Sequence, residues 1–253
     1  MAVSGSIDAE RRRKDLADLI ARGEEISIDE ARLKFNVSAM TIRRDIEALE
    51  NEGVVRRVRG GAVSAPAPRS YDDRLATRSA AKLAIARKAL ALVPHRGAIA
   101  LDASTTVHAL AEILGGDREL TVCTNSVQTF EVLTRLNGID AQLTGGSYER
   151  VTGSLVGPIA NAGARLLFTQ VFFTSAAALH PEGGTSESSL AEAEVKRHLA
   201  ESAERTVLCV DSSKLGGRSV GAALELASVS TLITELPADD PRLDPYRHSV
   251  DVL

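Results

Sequence analysis

The chain has 253 residues, 44% apolar and 25% charged, with a net charge of −4, a globular composition long enough for one small and one medium domain. A negative chain does not attract nucleic acid as a whole, so any such contact must be local. With no tryptophan, three tyrosines and five phenylalanines, there are too few ring faces for a surface that stacks bases or sugars.

No apolar run approaches the ~20 residues of a membrane span, and the opening MAVSGSIDAE lacks an apolar signal core. Cys123 and Cys209 lie in the apolar runs TVCT and VLCV with no CxxC spacing, the pattern of core thiols rather than of a zinc or disulfide framework. The five histidines show no metal-ligand spacing. The expectation is a cytoplasmic, reduced protein with no membrane contact, no metal and no cofactor.

In chain order, ERRRKDLADLIAR (residues 10–22) places Leu16, Leu19 and Ile20 at helical spacing, and Gly23 follows as a stop. Ser27 precedes IDEARLKF, with Glu30 three positions on, a capping box that opens a second, short helix. Asn36 and Val37 connect to Ser38, an N-cap for a third helix over residues 39–51, and Gly53 ends it. Two helices, a tight turn and a longer helix make a helix-turn-helix. Ile42, Ile46 and Leu49 recur at i, i+4 and i+7 and mark the buried face of the third helix. At about 100° per residue the other face carries Met40, Arg43, Arg44 and Glu47, with Thr41 and Ala48 on its flank. Such a face can read base edges in a major groove, where an arginine pairs bidentately with guanine. Equally, the two arginines can be a solvated surface paired with Asp45, Glu47 or Glu52.

The segment behind this helix favours DNA. Between Gly53 and Ser70 there is no acidic residue, but Arg56, Arg57, Arg59 and Arg69 are present. VVRRV is β-prone, Gly60-Gly61 permits a turn and AVS returns: a basic wing for the phosphate backbone. The stretch VSAMTIRRDIEALENEGVVRRVRGGA resembles the signature of the DeoR family of bacterial transcription regulators at nearly every fixed position. It departs at Ile46, where leucine is usual, and at Arg59, where histidine is frequent. The resemblance implies helix contacts from Ser38, Thr41, Arg43 and Arg44, and wing contacts from Arg56, Arg57 and Arg59.

APAPRS (residues 65–70) reads as an interdomain connection, and the expected boundaries are a winged helix-turn-helix domain over 1–64, a linker over 65–76 and a larger domain over 77–253. Beyond Ser70 the chain holds 17 Lys/Arg and 22 Asp/Glu, so this part has no electrostatic attraction for DNA. Residues 77–93 form an apolar-periodic helix that Pro94 breaks. Then GAIALD, LTVCTN, IDAQLTGG, TQVFFTS, RTVLCVD and STLITE read as strands. The segments STTVHALAEIL, SVQTFEVLTRL, GPIANAGARLL and residues 187–201 between them read as helices. Strands separated by helices imply a mainly parallel α/β sheet covered on both faces.

An open α/β sheet takes ligands outside the carboxyl ends of its strands. Those ends carry Asp102 with Ser104, Thr105 and Thr106; Thr124, Asn125 and Ser126; Thr144, Gly145 and Gly146, with Gly153 and Gly157 in the loop beyond; and Asp211, Ser212, Ser213 and Lys214. Hydroxyls and free N–H groups at helix starts suit a phosphate, Lys214 adds a point charge, and Asp102 or Asn125 can accept from sugar hydroxyls. Each stretch alone is also an ordinary helix cap. Neither GxGxxG after a strand nor GxxxxGK[ST] occurs, so no dinucleotide grip is expected.

D-x-[GS]-[ST]-T, TNS, the strand-ending GG, EVKR at 194–197 and DSSK extend the DeoR resemblance through this half. It implies an effector domain similar in fold to ribose-5-phosphate isomerase that binds phosphorylated sugars. The implied contacts are Asp102, Ser104, Thr105, Thr106, Asn125, Gly145, Gly146, Gly153 and Lys214, and Ser126 lies among them. Glu235 stands where the family often has Asp. Related isomerases carry an acidic Asp-Gly-Ala-Asp-Glu motif after the strand that here ends in Ser175-Ala176-Ala177-Ala178, so carboxylates for proton transfer are absent from that strand end. The resulting expectation is a repressor of a carbohydrate operon, not an enzyme, that binds duplex DNA as a homodimer or higher oligomer and answers to a phosphosugar. The alternatives are a phosphosugar isomerase with an appended DNA-binding module, and a constitutive DNA-binding protein whose α/β half only oligomerises.

Overall fold

The computed structural model describes residues 2–21, 26–51, 55–58, 60–64 and 71–253, which divide into two compact units, Met1–Pro68 and Arg69–Leu253. The connection expected at 65–70 lies outside the described residues.

The first unit contains α1 (Ala2–Ala21), β1 (Ile26–Ser27), α2 (Ile28–Phe35), α3 (Ala39–Asn51), β2 (Val55–Val58) and β3 (Gly61–Ser64). The capping box forms as the spacing predicts: Ser27 Oγ accepts from Glu30 N at 3.1 Å, and the Glu30 carboxylate accepts from Ser27 N at 2.9 Å. Asn36 closes α2 in the left-handed region (φ 51°), which its short amide side chain tolerates. Strands β2 and β3 form the antiparallel hairpin, with Arg57 opposite Ala62, and β1 adds to the other side of β3. Gly61 is required there, because a Cβ would stand 2.2 Å from Ile26 O. Leu16, Ile20, Ala31, Ile42, Ile46, Leu49, Val55 and Ala62 form one core.

The second unit begins earlier than expected. Residues 71–76, included in the expected linker over 65–76, are a helix, α4 (Tyr71–Ala76), followed by α5 (Ser79–Leu90). Then come β4 (Arg96–Leu101), α6 (Thr105–Ile113), β5 (Glu119–Thr124), α7 (Val127–Leu133), β6 (Ile139–Leu143), β7 (Ser147–Glu149), β8 (Ser154–Val156) and α8 (Pro158–Ala164). The chain continues through β9 (Val171–Thr174), β10 (Ala178–His180), β11 (Gly184–Glu187), α9 (Leu190–Glu201), β12 (Thr206–Cys209), β13 (Gly221–Ala222), β14 (Thr231–Ile233) and β15 (Asp251–Val252).

Seven strands form one parallel sheet in the order β15-β14-β12-β9-β4-β5-β6. Alternate residues feed opposite faces. Ile99, Leu101, Val122 and Phe173 pack under α5, α6 and α7, whereas Ala100, Cys123 and Phe172 pack under α8 and α9. Phe172 and Phe173 are both fully buried, each worth roughly 1.5–3 kcal/mol relative to exposure. Both cysteines are buried, on β5 and β12.

Also not anticipated from the sequence were the β7–β8 hairpin, a small antiparallel sheet, β10-β11-β13, and the edge strand β15. Among the described residues no helix is long and apolar enough to cross a membrane.

The strand order fixes where a site can form. From β4 the chain winds outward through β5 and β6, then returns to β9 on the other side of β4 and winds away through β12 and β14. Connections leave β4 and β9 in opposite directions, so a crevice opens at their carboxyl ends. Asp102 follows β4 directly, and Ser175 follows β9.

Candidate DNA-reading helix and ligand rim

In the first unit, Ser38 opens α3. Its Oγ accepts from Thr41 N at 3.1 Å and lies 2.9 Å from Thr41 Oγ1, so Ser38 and Thr41 build the helix start together. Met40 is 57% exposed, and Arg43, Arg44 and Glu47 are exposed beside it. Ile42, Ile46 and Leu49 are buried, as their spacing requires. Of the three carboxylates offered as partners for the two arginines, Asp45 is committed elsewhere: it is buried, and Arg12 of α1 grips it through Nε at 2.6 Å and Nη2 at 3.2 Å, while Glu52 lies outside the described residues. Among the described residues neither Arg43 nor Arg44 has an ion pair. Arg56 and Arg57 occupy consecutive positions of β2, and Arg59 lies outside the described residues.

In the second unit, the expected rim residues follow the carboxyl ends of neighbouring strands. Ser104 caps α6 by accepting from Val107 N at 3.1 Å, and Thr105 and Thr106 form the buried first turn. Asn125 donates from Nδ2 to Leu155 O at 3.2 Å, while its buried Oδ1 has no partner among the described residues. Ser126 caps α7 through Thr129 N at 3.1 Å. Gly146 (φ 119°) lies so close to Val156 O and Ala160 that a Cβ would meet them at 2.7 and 2.8 Å, and Gly145 precedes it, also at positive φ. Gly153 (φ 70°) receives the ring of Tyr71, which a Cβ would meet at 2.9 Å. Lys214 ends the short turn after β12 that Asp211 caps through Ser213 N at 3.0 Å. It is separated from Asp102 by the width of β9, and no described hydrogen bond joins the two.

The environment of Asp102 differs from the expected one. Rather than offering a free acceptor to a sugar, it is fully buried and its oxygens are engaged inside the chain. Oδ1 accepts from Ser104 N at 2.9 Å, and Oδ2 accepts from Thr174 Oγ1 at 2.7 Å and Ser175 N at 2.8 Å. Lys196 of α9 places Nζ 3.0 Å from the same Oδ2, donates to Glu187 Oε1 at 2.7 Å and donates to Ser175 O at 2.9 Å. Asp102 therefore braces the two loops that flank the crevice.

The absence of carboxylates expected at the end of β9 also needs correction. Asp102, Glu187 from β11 and Glu192 from α9 surround Lys196 beside Ser175. They reach the strand end from other elements, and so no motif after β9 announces them. Sequence reasoning noted EVKR at 194–197 only as a resemblance, and missed Glu187 and Glu192 altogether.

The electrostatics of this cluster follow from burial. Burial alone would lower the Lys196 ammonium, but Asp102, Glu187 and Glu192 outweigh it and hold the lysine charged. Burial likewise opposes ionisation of Asp102, yet Lys196 and three hydrogen bonds keep it below the usual range. For Glu187 burial wins and raises it despite Lys196. Burial pushes Glu192 up to about 8. One cation thus serves three carboxyls, and the most weakly compensated one keeps its proton.

This distribution has a consequence for stability. Folded Glu192 holds its proton up to about pH 8, whereas its ordinary value is 4.5. The folded state therefore binds more protons in that window, and stability falls as pH rises through it. Glu192→Gln should flatten the decline of the second unit's unfolding temperature between pH 5 and 8.5, measured by calorimetry. An unchanged pH slope would show that the carboxyl ionises normally in the fold.

Comparison with known proteins agrees with both halves. The model of the DeoR-like helix-turn-helix domain matches residues 12–67, and that of the DeoR C terminal sensor domain matches residues 77–236. An HTH-type transcriptional regulator of Bacillus subtilis, YulB, is 35% identical over 94% of this chain and 90% of its own length. GolR, an HTH-type transcriptional regulator of Listeria innocua, is 31% identical over 88% of this chain and 89% of its own. A putative aga operon transcriptional repressor of Escherichia coli is 27% identical over 90% and 87%. A solved ribose 5-phosphate isomerase from Methanocaldococcus jannaschii overlaps 55% of each chain with 14% identity and a TM-score of 0.40, too slight a likeness to carry an argument. With a sensor-domain match over most of the second unit and a helix-turn-helix match over the first, the chain belongs to the DeoR family of transcriptional regulators.

Proposed function

We propose that this protein is a repressor of a carbohydrate-metabolism operon that binds duplex DNA through α3 and the β2–β3 wing and releases or retains it according to a phosphorylated sugar held at the sheet rim. The observation that carries the DNA half is the diversion of Asp45 to Arg12, which leaves Arg43 and Arg44 exposed next to Met40. Arg43 and Arg44 face base edges, Ser38 and Thr41 secure the helix start against phosphate, and Arg56, Arg57 and Arg59 follow the backbone. The sugar half rests on the polar strand ends: Ser104, Thr105, Thr106 and Ser126 at helix starts, Asn125 with an unmet acceptor, the close-packed Gly145, Gly146 and Gly153, and Lys214 as the cation. The Escherichia coli relative is named for the aga operon, and a relative in Lactococcus lactis, 27% identical over 98% of this chain, is a lactose phosphotransferase system repressor.

A single winged helix makes a small interface, and two copies on paired half-sites give useful specificity. Leu166 and Phe168, 81% and 87% exposed on the second unit, supply apolar surface of the kind a second copy covers. Coupling requires differential binding: the ligand acts on DNA only by preferring one of two conformations of the dimer.

A second reading, an isomerase carrying a DNA-binding module, is favoured by one observation, the three carboxyls gathered about Lys196. Its test is turnover: the purified chain should leave ribose 5-phosphate and glucose 6-phosphate unchanged. Steady isomerisation that Glu187→Gln abolishes would establish the enzyme instead.

The DNA assignment is tested by selecting duplexes from a random pool and measuring the bound sequences by anisotropy at several salt concentrations. Arg44→Ala should relax one base position by ~1–3 kcal/mol. Arg57→Ala should weaken all sequences about equally and reduce the salt slope by about 1. If both variants bind as the unaltered protein does, α3 and the wing are not the DNA surface.

A further inference from the structure

At the corner between α4 and α5, Arg78 has φ 55° and ψ 37°. Among the described residues only Asn36 shares such a backbone outside glycine. Asn36 suits it by its side chain, but Arg78 has no such local reason, and a strained backbone persists only where the surroundings over-determine it. Here the surroundings are the carboxyl ends of β12 and β14. Arg78 Nε lies 2.8 Å from Asp211 Oδ1, and Nη2 donates to Glu235 Oε1 at 2.7 Å and to Ser212 Oγ at 3.0 Å. Glu235 in turn accepts from Ser212 N at 2.9 Å and from Ser212 Oγ at 2.6 Å. The guanidinium therefore ties the corner to the turn that ends in Lys214.

The rest of α4 is fastened to the other part of the rim. Arg74 Nη2 donates to Thr152 O at 2.6 Å, the Tyr71 ring rests on Gly153, and the same ring meets His108 edge-on with centroids 6.0 Å apart. Beneath the corner, Lys82 donates to the carbonyls of Arg74 and Thr77 and so closes the end of α4. Two of these fastenings thus end on loops that also carry a proposed ligand residue: Arg74 and Tyr71 on the loop of Gly153, and Arg78, at the corner, on the turn of Lys214. In sequence, α4 is the first element after residues 65–70, on the path toward the DNA-binding unit.

Resting on the ligand reading above, we infer that Arg78 is a latch: a phosphate group bound at the 212–214 turn draws its guanidinium from Glu235 and resets α4. The chemistry favours the exchange. Arg78 is 40% exposed at its side chain and within reach of an arriving ligand. A dianionic phosphate offers its fork more charge than one carboxylate does, and release of Glu235 relieves the contact that spans from the corner to the end of β14. An uncharged sugar has nothing with which to compete for Arg78, so the latch makes the response selective for phosphorylated ligands. The cation acts through α4 and is a positioning residue.

The test is hydrogen exchange of the peptide covering residues 71–78 in the full chain, with and without ribose 5-phosphate, glucose 6-phosphate, fructose 6-phosphate and glucosamine 6-phosphate. Thermal shift in the same samples reports binding. In the unaltered protein, an ester that raises the unfolding temperature should change exchange in this peptide by about threefold or more, and its parent sugar should not. Arg78→Asn, which suits the left-handed backbone and removes the cation, should exchange fast without ligand and show no further change. Arg78→Lys should restore part of the response. If an ester binds yet exchange in 71–78 is unaffected, or if Arg78→Asn responds as the unaltered chain does, the latch is wrong and the ligand site stands. If no ester shifts the unaltered protein's unfolding temperature, the ligand reading fails and takes the latch with it.

Discussion

An ammonium group with no access to water must find its counter-charge within the fold, and Lys196 finds it where the strand order of the sheet reverses. Its bonds to Asp102, Glu187 and Ser175 O join the ends of β4 and β9 to α9 and to the small antiparallel sheet. A buried charge stripped of its partner is strongly destabilising, so these contacts act as a set: the crevice, the helix start at Ser104 and the loop at Ser175 are held in one geometry by one cation. The residues proposed to meet a ligand need that rigidity, because hydroxyls and N–H groups select an anion only if they do not have to be rearranged to bind it.

The same economy of charge operates in the first unit, with the opposite result. There Arg12 takes up Asp45 in the interior, and the guanidiniums of Arg43 and Arg44 are left exposed. In the sensor unit the pairing closes a cluster, whereas in the helix-turn-helix unit it leaves a cationic surface open. A chain with net charge −4 can therefore still present a cationic helix, since the placement of a few ion pairs matters more than the sum.

Local patterns were legible in the sequence because they are decided locally. Ser27 with Glu30, the Ile42–Ile46–Leu49 stripe, the glycine pair between β2 and β3 and the strand–helix alternation all rest on neighbours within one turn or one hairpin. The parallel sheet followed from that alternation and placed a rim at the carboxyl ends of its strands, whereas the strand order, and with it the reversal point, came only from the fold. What escaped was non-local. Glu187, Glu192 and Lys196 look like an ordinary charged helix start and loop until burial brings them to Asp102, 85 or more positions away in the chain. Helix α4 was hidden by the proline-rich composition just before it, and so short a helix is held by non-local contacts: Tyr71 against Gly153 and His108, Arg74 on Thr152 O and Lys82 on its last carbonyls. Strand β10 is too brief, and β11 too polar, to show a period.

If α3 reads DNA and the sheet rim holds a phosphate, one requirement follows for the intact protein: a sugar phosphate must change its grip on DNA. Anisotropy of a labelled duplex bearing the selected sequence, titrated with phosphate esters at fixed salt, measures this directly. The account predicts that at least one ester shifts the apparent Kd about tenfold, a coupling of about 1.4 kcal/mol, while its unphosphorylated parent leaves it in place. Duplex affinity that stays constant with every ester known to bind the protein would contradict it.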